Sequence, residues 1–265
     1  MNAFFKNKAT KIVFWLMMIL LWVAASIISA QLLVGGIMLS FLGKEDFSQP
    51  VSTAIYSAVS YAIAMLLIIF VPPFLKRCWH KNHYPKKAKR KFPPKFATRK
   101  ELGLQNLVTW TDIGLAPIGY VVYLIVGIFL ASIFSFFPWF DANQAQDVGF
   151  SIYMTGGDRL IAFVTLVVIA PIAEEIIFRG YLYDKIRVKL STITTDIISI
   201  VISSLLVSVL FGLIHMQWNV GLNVFALSLV LCALREITGT IYSGILLHMI
   251  KNGLAFYLLY VVGIF

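Results

Sequence analysis

Long apolar runs dominate this sequence and constrain what it can fold into. A run of roughly 18 or more apolar residues crosses a bilayer as one α-helix, because each residue adds about 1.5 Å towards a hydrocarbon core about 30 Å thick. Hydrophobic residues make up 60% of the chain and charged residues 13%, a balance that a soluble domain of this length would not tolerate. We therefore predict an all-α, polytopic transmembrane helix bundle of about seven (seven to eight) spans. The runs lie at residues 12–34, 53–75, 113–137, 159–178, 195–215, 219–234 and 241–262.

Positive charge is concentrated in one loop. Eleven of the 22 Lys and Arg residues fall between Lys76 and Lys100, a stretch without Asp or Glu. Basic loops stay on the cytoplasmic side of a membrane, so we expect a multi-pass plasma-membrane protein with its N-terminus in the cytoplasm. We expect this loop to contact anionic lipid headgroups. The net charge of +10 does not indicate nucleic-acid binding, because the loop carries no recognition motif for nucleic acid.

Two pairs of prolines bracket the basic loop and divide the chain. Pro72-Pro73 and Pro93-Pro94 disfavour helix in the residue before each proline, so we predict that helices stop there. The division gives an N-terminal transmembrane hairpin (1–75), a basic cytoplasmic loop (76–102) and a C-terminal transmembrane bundle (103–265). The charged and imidazole side chains inside apolar runs fall in the bundle, and we predict that the chemistry lies wholly there.

Two adjacent glutamates, Glu174 and Glu175, interrupt the fourth apolar run. An ionisable side chain at membrane depth costs about 2.5–3.5 kcal/mol on insertion scales, so such residues are rare and usually functional. Residues four apart on a helix share a face. This predicts that Glu175 forms an ion pair with Arg179 and that Glu174 is the freer carboxylate. A desolvated carboxylate takes up a proton more readily than one in water, which suits a general base acting on water.

Two histidines and an asparagine interrupt later apolar runs. His215 follows Phe211 by one helical turn, and Asn252 follows His248 by one turn. An imidazole and an amide one turn apart can donate two hydrogen bonds to a single point, as an oxyanion hole requires. Each residue alone has a structural alternative: a packing histidine, an asparagine that joins helices, or a buried brace. The combination of carboxylate, imidazole and amide in three spans favours hydrolysis within the membrane.

These residues form three ordered blocks: Glu-Glu-x-x-x-Arg at 174–179, Phe-x-x-x-His at 211–215 and His-x-x-x-Asn at 248–252. In this order and spacing they resemble the CAAX-protease and bacteriocin-processing (CPBP) family. These intramembrane proteases are related to the type II CAAX prenyl endopeptidase and to the Abi proteins. The first block continues as Phe178-Arg179-Gly180, the form that is usual in the family. The resemblance covers roughly residues 103–265.

The resemblance implies a role for each matching residue. Glu174 with His215 would activate the water that attacks the scissile carbonyl, and His248 with Asn252 would stabilise the oxyanion. Structural support of the site would come from Glu175, Arg179 and Phe211.

The resemblance also implies a substrate class and leaves alternatives open. The substrate would be a membrane-embedded or membrane-associated peptide or protein, reached from the cytoplasmic side. The biological role of the protein would be the processing of a bacteriocin or pheromone, or self-immunity. Zinc held by Glu174, His215 and His248 is an alternative to the glutamate mechanism without metal, which we favour. A non-enzymatic immunity or scaffold protein that binds a toxin or partner is the alternative to an enzyme.

The depth of His215 conflicts with the other two blocks. Glu174 lies about a turn and a half from the cytoplasmic end of its run, whereas His215 falls at the far end of a helix that starts near Thr195. We expect residues 181–191, where apolar and basic residues alternate, to lie along the membrane surface and to delay the fifth span.

Overall fold

The computed structural model describes residues 8–41, 48–83, 97–138, 140, 150, 154 and 156–263, and these residues contain no strand. The all-α prediction is confirmed. The helices are α1 (Lys8–Phe41), α2 (Gln49–Met65), α3 (Val71–His83), α4 (Trp110–Phe134), α5 (Gly156–Phe163), α6 (Ala170–Glu175), α7 (Tyr183–Leu190), α8 (Asp196–Leu213), α9 (Trp218–Thr238) and α10 (Tyr242–Phe256). Segments of π-helix join or extend them at Leu66–Phe70, Val164–Ile169, Ile176–Leu182 and Tyr257–Val262.

Seven helical stretches of the described chain are long and apolar enough to cross a membrane, one for each predicted apolar run. Their outward faces carry large apolar side chains, such as Leu32, Ile128 and Ile197, which would be costly to expose to water but are suited to lipid. The stretches are Lys8–Ser40, Gln49–Trp79, Trp110–Phe134, Gly156–Leu190, Asp196–Leu213, Trp218–Thr238 and Tyr242–Val262.

The second span does not end at its paired prolines, contrary to the sequence prediction. Pro72 and Pro73 lie inside one continuous helical stretch, directly after a π-helical segment, and the helix continues to His83. A proline inside a helix lacks the N–H for one backbone hydrogen bond, so it is tolerated where the regular pattern of these bonds is already interrupted. The preceding π-helical segment has already shifted the backbone hydrogen-bond register at this point. Residues 84–96 of the basic loop lie outside the described residues. The predicted contact of this loop with lipid therefore stays a prediction.

The fourth span is one long helical stretch, Gly156–Leu190, which we call the long helix. The expectation of a separate surface helix at 181–191 is therefore wrong. Leu182, Tyr183, Ile186 and Leu190 are buried and belong to a core cluster that also contains Phe211 of α8. A face with this much buried apolar surface is stabilised by packing on the bundle rather than by lying on lipid.

The length of the long helix explains how His215 and Glu174 lie at the same depth. Glu174 lies 16 residues before Leu190, about 24 Å of helix at 1.5 Å per residue. The chain then turns, Thr195 caps the next helix by accepting from the Ile198 N–H, and α8 runs back. His215 lies 19 residues after Asp196, a rise of about 28 Å, which returns it to the level of Glu174.

The N-terminal hairpin packs on the long helix and shares its core. Val23 of α1 and Ala64 of α2 are buried in the same cluster as Ile177 and Phe178. Polar contacts attach the hairpin at both ends: Ser48 Oγ donates to Asp158 Oδ1 at 3.3 Å, and Lys8 Nζ donates to the Thr192 carbonyl at 2.9 Å.

One end of the bundle collects basic residues and their partners. Lys185 at the end of the long helix pairs with Glu101 at 2.5 Å, and Arg187 pairs with Glu236 at 3.2 Å. Partial burial would raise the pKa of Glu101, but the hydrogen bonds from Lys185 and Thr98 outweigh it and lower that pKa. The start of α1, residues 97–104 and the turn before α8 therefore lie on the same side of the bundle.

Candidate active site

A cavity of about 510 Å³ lies between the long helix, α10, the end of α8 and the N-terminal hairpin. The structure brings the four predicted reactive residues into its wall. Glu174 comes from the long helix, His215 from the turn after α8, and His248 with Asn252 from α10. Residues far apart in sequence thus meet around one space large enough for a peptide segment.

The two glutamates diverge because they are neighbours on a helix. Successive side chains point about 100° apart, so Glu175 is fully buried in the bundle while Glu174 faces the cavity and keeps 9% of its surface exposed. Both lie in α6, a short α-helical segment between two π-helical ones. Segments of π-helix inside longer helices are frequent at functional sites.

The ion pair that the spacing of Glu175 and Arg179 predicts is present. Arg179 Nη1 donates to Glu175 Oε1 at 2.9 Å, and both side chains have 0% exposure. The other oxygen, Glu175 Oε2, lies so close to Gly244 of α10 that a Cβ there would be 2.9 Å from it. Glycine is therefore the residue that lets α10 approach the carboxylate.

His248 lies between the two carboxylates. Its Nδ1 is 3.3 Å from Glu175 Oε1, and its Nε2 is 3.8 Å from Glu174 Oε2. The first distance is that of a hydrogen bond, and the second is too long for a direct hydrogen bond. Since a carboxylate oxygen only accepts, Nδ1 carries a proton in the first contact.

Phe211 connects the buried ion pair to both histidines. The guanidinium carbon of Arg179 lies 4.4 Å from the centre of the Phe211 ring, a cation–π contact. The ring also meets Phe178 at 4.8 Å, His215 at 5.1 Å and His248 at 6.1 Å between centroids, each edge to face. One aromatic side chain thus fixes the mutual orientation of these groups.

His215 lies just beyond the end of α8 and is held by a backbone contact. Its Nδ1 is 2.7 Å from the carbonyl oxygen of Phe211. A carbonyl only accepts, so Nδ1 carries the proton and Nε2 is the nitrogen available to the cavity. Met216, the next residue, adopts a φ of 55°, a left-handed conformation that is costly for a side chain other than glycine. This sharp turn ends the helix at the level of the cavity.

One N–H of the Asn252 amide makes a contact between two helices. Its Nδ2 donates to the carbonyl of Leu166 at 2.9 Å, in the π-helical segment of the long helix. An amide group has two N–H donors, so one remains. The sequence analysis expected His248 and Asn252 to donate to a single point. In the structure both His248 nitrogens face carboxylates, and one N–H of Asn252 already donates to Leu166.

The structure adds a site residue that the sequence analysis missed. The hydroxyl of Tyr61, in α2, donates to Glu174 Oε1 at 2.5 Å. Tyr56, Ser57 and Ser60 of the same helix also line the cavity. The sequence analysis placed the chemistry wholly in residues 103–265, and this hydrogen bond adds a contact to Glu174 from outside that range. The sequence signal was weak: a few hydroxyl-bearing residues in an otherwise apolar helix, with no spacing that pointed to Glu174.

Lys251 is a basic residue of the cavity wall. It lines the cavity beside Asn252. It also lines an adjoining cavity of about 360 Å³, where Tyr123 donates a hydrogen bond to Asn223. A basic residue in an apolar helix therefore lies where two cavities meet.

The residues do not form a metal site in this arrangement. Among the residues that the structure describes, no three His, Cys, Asp or Glu side chains are grouped so that they could hold one ion. Glu174 Oε1 accepts from Tyr61, and His215 keeps Nε2 for the cavity because its Nδ1 donates to a carbonyl. Zinc held by Glu174, His215 and His248 stays an alternative to the mechanism without metal.

A family comparison agrees with the three sequence blocks. Residues 156–254 match the family described as "Type II CAAX prenyl endopeptidase Rce1-like", and this range contains all three blocks. The resemblance drawn from the sequence is confirmed. No curated protein and no solved structure matches the chain significantly. The matched family is one of CAAX-type intramembrane proteases, and together with seven membrane-spanning helices it identifies a multi-pass membrane protein.

Proposed function

We propose that this chain, which carries the core of a CAAX-type membrane protease, hydrolyses a peptide bond of a membrane-associated protein or peptide with a water activated by Glu174 and His215. The observation that carries the proposal is the position of the Glu174 carboxylate. It faces a cavity enclosed by membrane-spanning helices, beside two imidazoles and an amide. Such a carboxylate is costly in an apolar bundle, and a catalytic role accounts for its presence.

The first step is attack by water on the scissile carbonyl. Glu174 accepts a proton from the water, and His215 Nε2 orients the same water through a hydrogen bond. The water oxygen forms a bond to the carbonyl carbon, and the electron pair of the C=O double bond moves to its oxygen. The product of this step is a tetrahedral oxyanion, with the proton on Glu174.

The oxyanion is stabilised by His248 and Asn252. Nδ1–H of His248 donates to Glu175, and Nε2 faces Glu174 across 3.8 Å, so a donor proton there meets the oxyanion that forms beside that carboxylate. The Asn252 amide keeps one N–H for the same oxyanion after it has bound Leu166. The oxyanion then collapses, the C–N bond breaks, and the proton on Glu174 passes to the leaving amine nitrogen.

The buried residues around the site have a supporting role. Glu175 orients His248, Arg179 neutralises Glu175, and Phe211 packs against the guanidinium and both histidines. Removing any of these groups leaves a buried charge or a gap next to a reactive side chain, so the effect on catalysis is indirect.

The charge distribution supports an orientation for the protein. Lys8, Lys185 and Arg187 lie at one end of the bundle, the end at which the basic loop 76–102 is also attached. The bias of basic residues supports a cytoplasmic position for this end, in a plasma-membrane protein. The N-terminus is then cytoplasmic, and substrates reach Glu174 from the cytoplasmic side. The loop contacts anionic lipid.

The substrate is an extended peptide segment held at or within the bilayer. Much of the cavity wall is apolar, including Ile27, Ile177 and Val224, so it favours a hydrophobic segment. Processing of a bacteriocin or a peptide pheromone, or self-immunity against a bacteriocin, fits such a substrate. The mechanism that we propose requires no metal.

New protein N-termini in cells provide the test. Cells that express the wild type or Glu174→Gln at matched membrane levels are compared, with the catalytically uninvolved Gly253→Ala as a control. A terminus that forms with the wild type and the control but not with Glu174→Gln establishes proteolysis and reveals the substrate. Identical termini in all three, with a phenotype that survives Glu174→Gln, would instead establish a non-enzymatic immunity or scaffold protein.

A further inference from the structure

We infer that Tyr61 is a positioning residue for Glu174, and that the N-terminal hairpin is therefore part of the catalytic unit. This inference rests on the proposed function, because it concerns the orientation of the carboxylate that activates water. Tyr61 lies outside residues 156–254, the range that matches the protease family. The contact is a property of this chain's own hairpin.

The two oxygens of Glu174 have different surroundings. Oε1 accepts the hydrogen bond from the Tyr61 hydroxyl at 2.5 Å, and Oε2 faces Nε2 of His248 at 3.8 Å. A glutamate side chain rotates about three torsions, and an apolar cavity wall offers few contacts that hold the carboxylate in one orientation. The Tyr61 hydroxyl fixes one oxygen, so that the other remains directed towards His248 and the reacting water.

Contacts between α2 and the long helix fix the position of Tyr61 relative to Glu174. Ala64, one turn after Tyr61, is buried in the core cluster that contains Ile177 and Phe178 of the long helix. At the start of α2, Ser48 binds Asp158 near the start of the same long helix. The helix that carries Tyr61 therefore packs along the helix that carries Glu174, on both sides of their contact.

Tyr183, in the long helix, provides a matched control outside the cavity wall. Its hydroxyl donates to Glu236 Oε1 at 2.9 Å, so it also makes a hydrogen bond from a tyrosine to a glutamate. Replacing either tyrosine by phenylalanine removes one hydroxyl and keeps the ring, but only Tyr61→Phe removes the hydrogen bond to Glu174.

Steady-state kinetics of the purified full chain in lipid nanodiscs test the inference. The probe is a synthetic peptide that spans the bond identified from the new N-termini in cells. Hydrogen bonds to charged groups contribute about 1.5–3 kcal/mol, so we expect kcat of Tyr61→Phe to fall by about 10- to 150-fold with KM within twofold. We expect Tyr183→Phe to stay within twofold of the wild type in both. Equal rates for the two variants, or a raised KM with unchanged kcat for Tyr61→Phe, would overturn the inference.

A thermal double-mutant cycle tests the contact without any substrate. We expect Tyr61→Phe to lower the unfolding temperature of the wild type but to have little effect in the Glu174→Leu background, because the partner is already absent. An equal shift in both backgrounds would contradict the contact. If the wild type cleaves no bond in cells, the proposed function fails. If it cleaves and Tyr61→Phe cleaves equally well, the inference alone fails.

Discussion

Nδ1 of His248 lies 3.3 Å from Glu175 Oε1, the oxygen that also accepts the hydrogen bond from Arg179. One buried carboxylate thus joins an imidazole of the cavity wall to a guanidinium in the core. His248 is oriented by a residue that does not itself face the cavity. The adjacent glutamates therefore differ in role. Glu174 faces the cavity, whereas Glu175 contacts His248 and Arg179 behind the cavity wall.

Removing the charge of Glu175 is expected to destabilise the protein. Glu175→Gln leaves the Arg179 guanidinium buried without a counter-charge, and breaking a buried pair in this way costs about 3–5 kcal/mol. Denaturant or thermal unfolding in detergent measures the loss. Glu101→Gln is the control, because the Glu101–Lys185 pair is about one-third exposed and such pairs contribute about 1 kcal/mol or less. Equal losses for the two variants would refute the buried brace.

A single methyl group on α10 is expected to disturb the same carboxylate. In Gly244→Ala the new Cβ would lie 2.9 Å from Glu175 Oε2, so the carboxylate or the helix must move, at a cost of about 1–3 kcal/mol. Gly253→Ala on the same helix is the control, since its Cβ would meet Val167 Cγ1 at an ordinary 3.5 Å. Unfolding and cleavage rates of both variants are measured. The prediction fails if Gly244→Ala is as stable and active as Gly253→Ala.

Asn252 is expected to contribute to both catalysis and structure. Asn252→Ala removes the proposed oxyanion donor, which we expect to lower kcat by about 10²- to 10³-fold. It also removes the hydrogen bond to the Leu166 carbonyl, which lowers stability by about 1 kcal/mol. Kinetics with the identified peptide and unfolding of the same preparation separate the two effects. A loss of stability with kcat unchanged would show that Asn252 only joins the helices.

Metal removal is expected to leave the activity unchanged. The proposed mechanism uses a carboxylate as the base, and the described site residues do not converge as zinc ligands do. Purified protein is dialysed against a strong chelator, and its cleavage rate is compared with that of an untreated sample. We expect rates within twofold. A large loss that stoichiometric zinc restores would establish a metalloprotease instead.

Much of the site was predictable because its signals are local. The apolar runs predict the spans, since a bilayer tolerates few other residues at these lengths. The spacing of Glu175 and Arg179 predicts their pair, since residues four apart meet on any helix. The order of the three blocks indicates the protease family that residues 156–254 match.

The features that were missed depend on contacts between distant segments. Tyr61 and Glu174 are 113 positions apart, and no local pattern in α2 indicates their hydrogen bond. The long helix extends past Arg179 because Leu182 and Ile186 are buried against the rest of the bundle, which their sequence alone does not reveal. The depth of His215 was misjudged for the same reason.

The most direct test of the account is the cleavage rate of the purified full chain with Glu174 as glutamate or glutamine. Glutamine keeps the size of the side chain and can still accept from Tyr61, but it cannot take a proton from water. We predict that Glu174→Gln unfolds at the same temperature as the wild type within a few degrees and cleaves the identified peptide about 10²- to 10⁴-fold more slowly. A folded Glu174→Gln variant that cleaves within a few-fold of the wild-type rate would contradict the account.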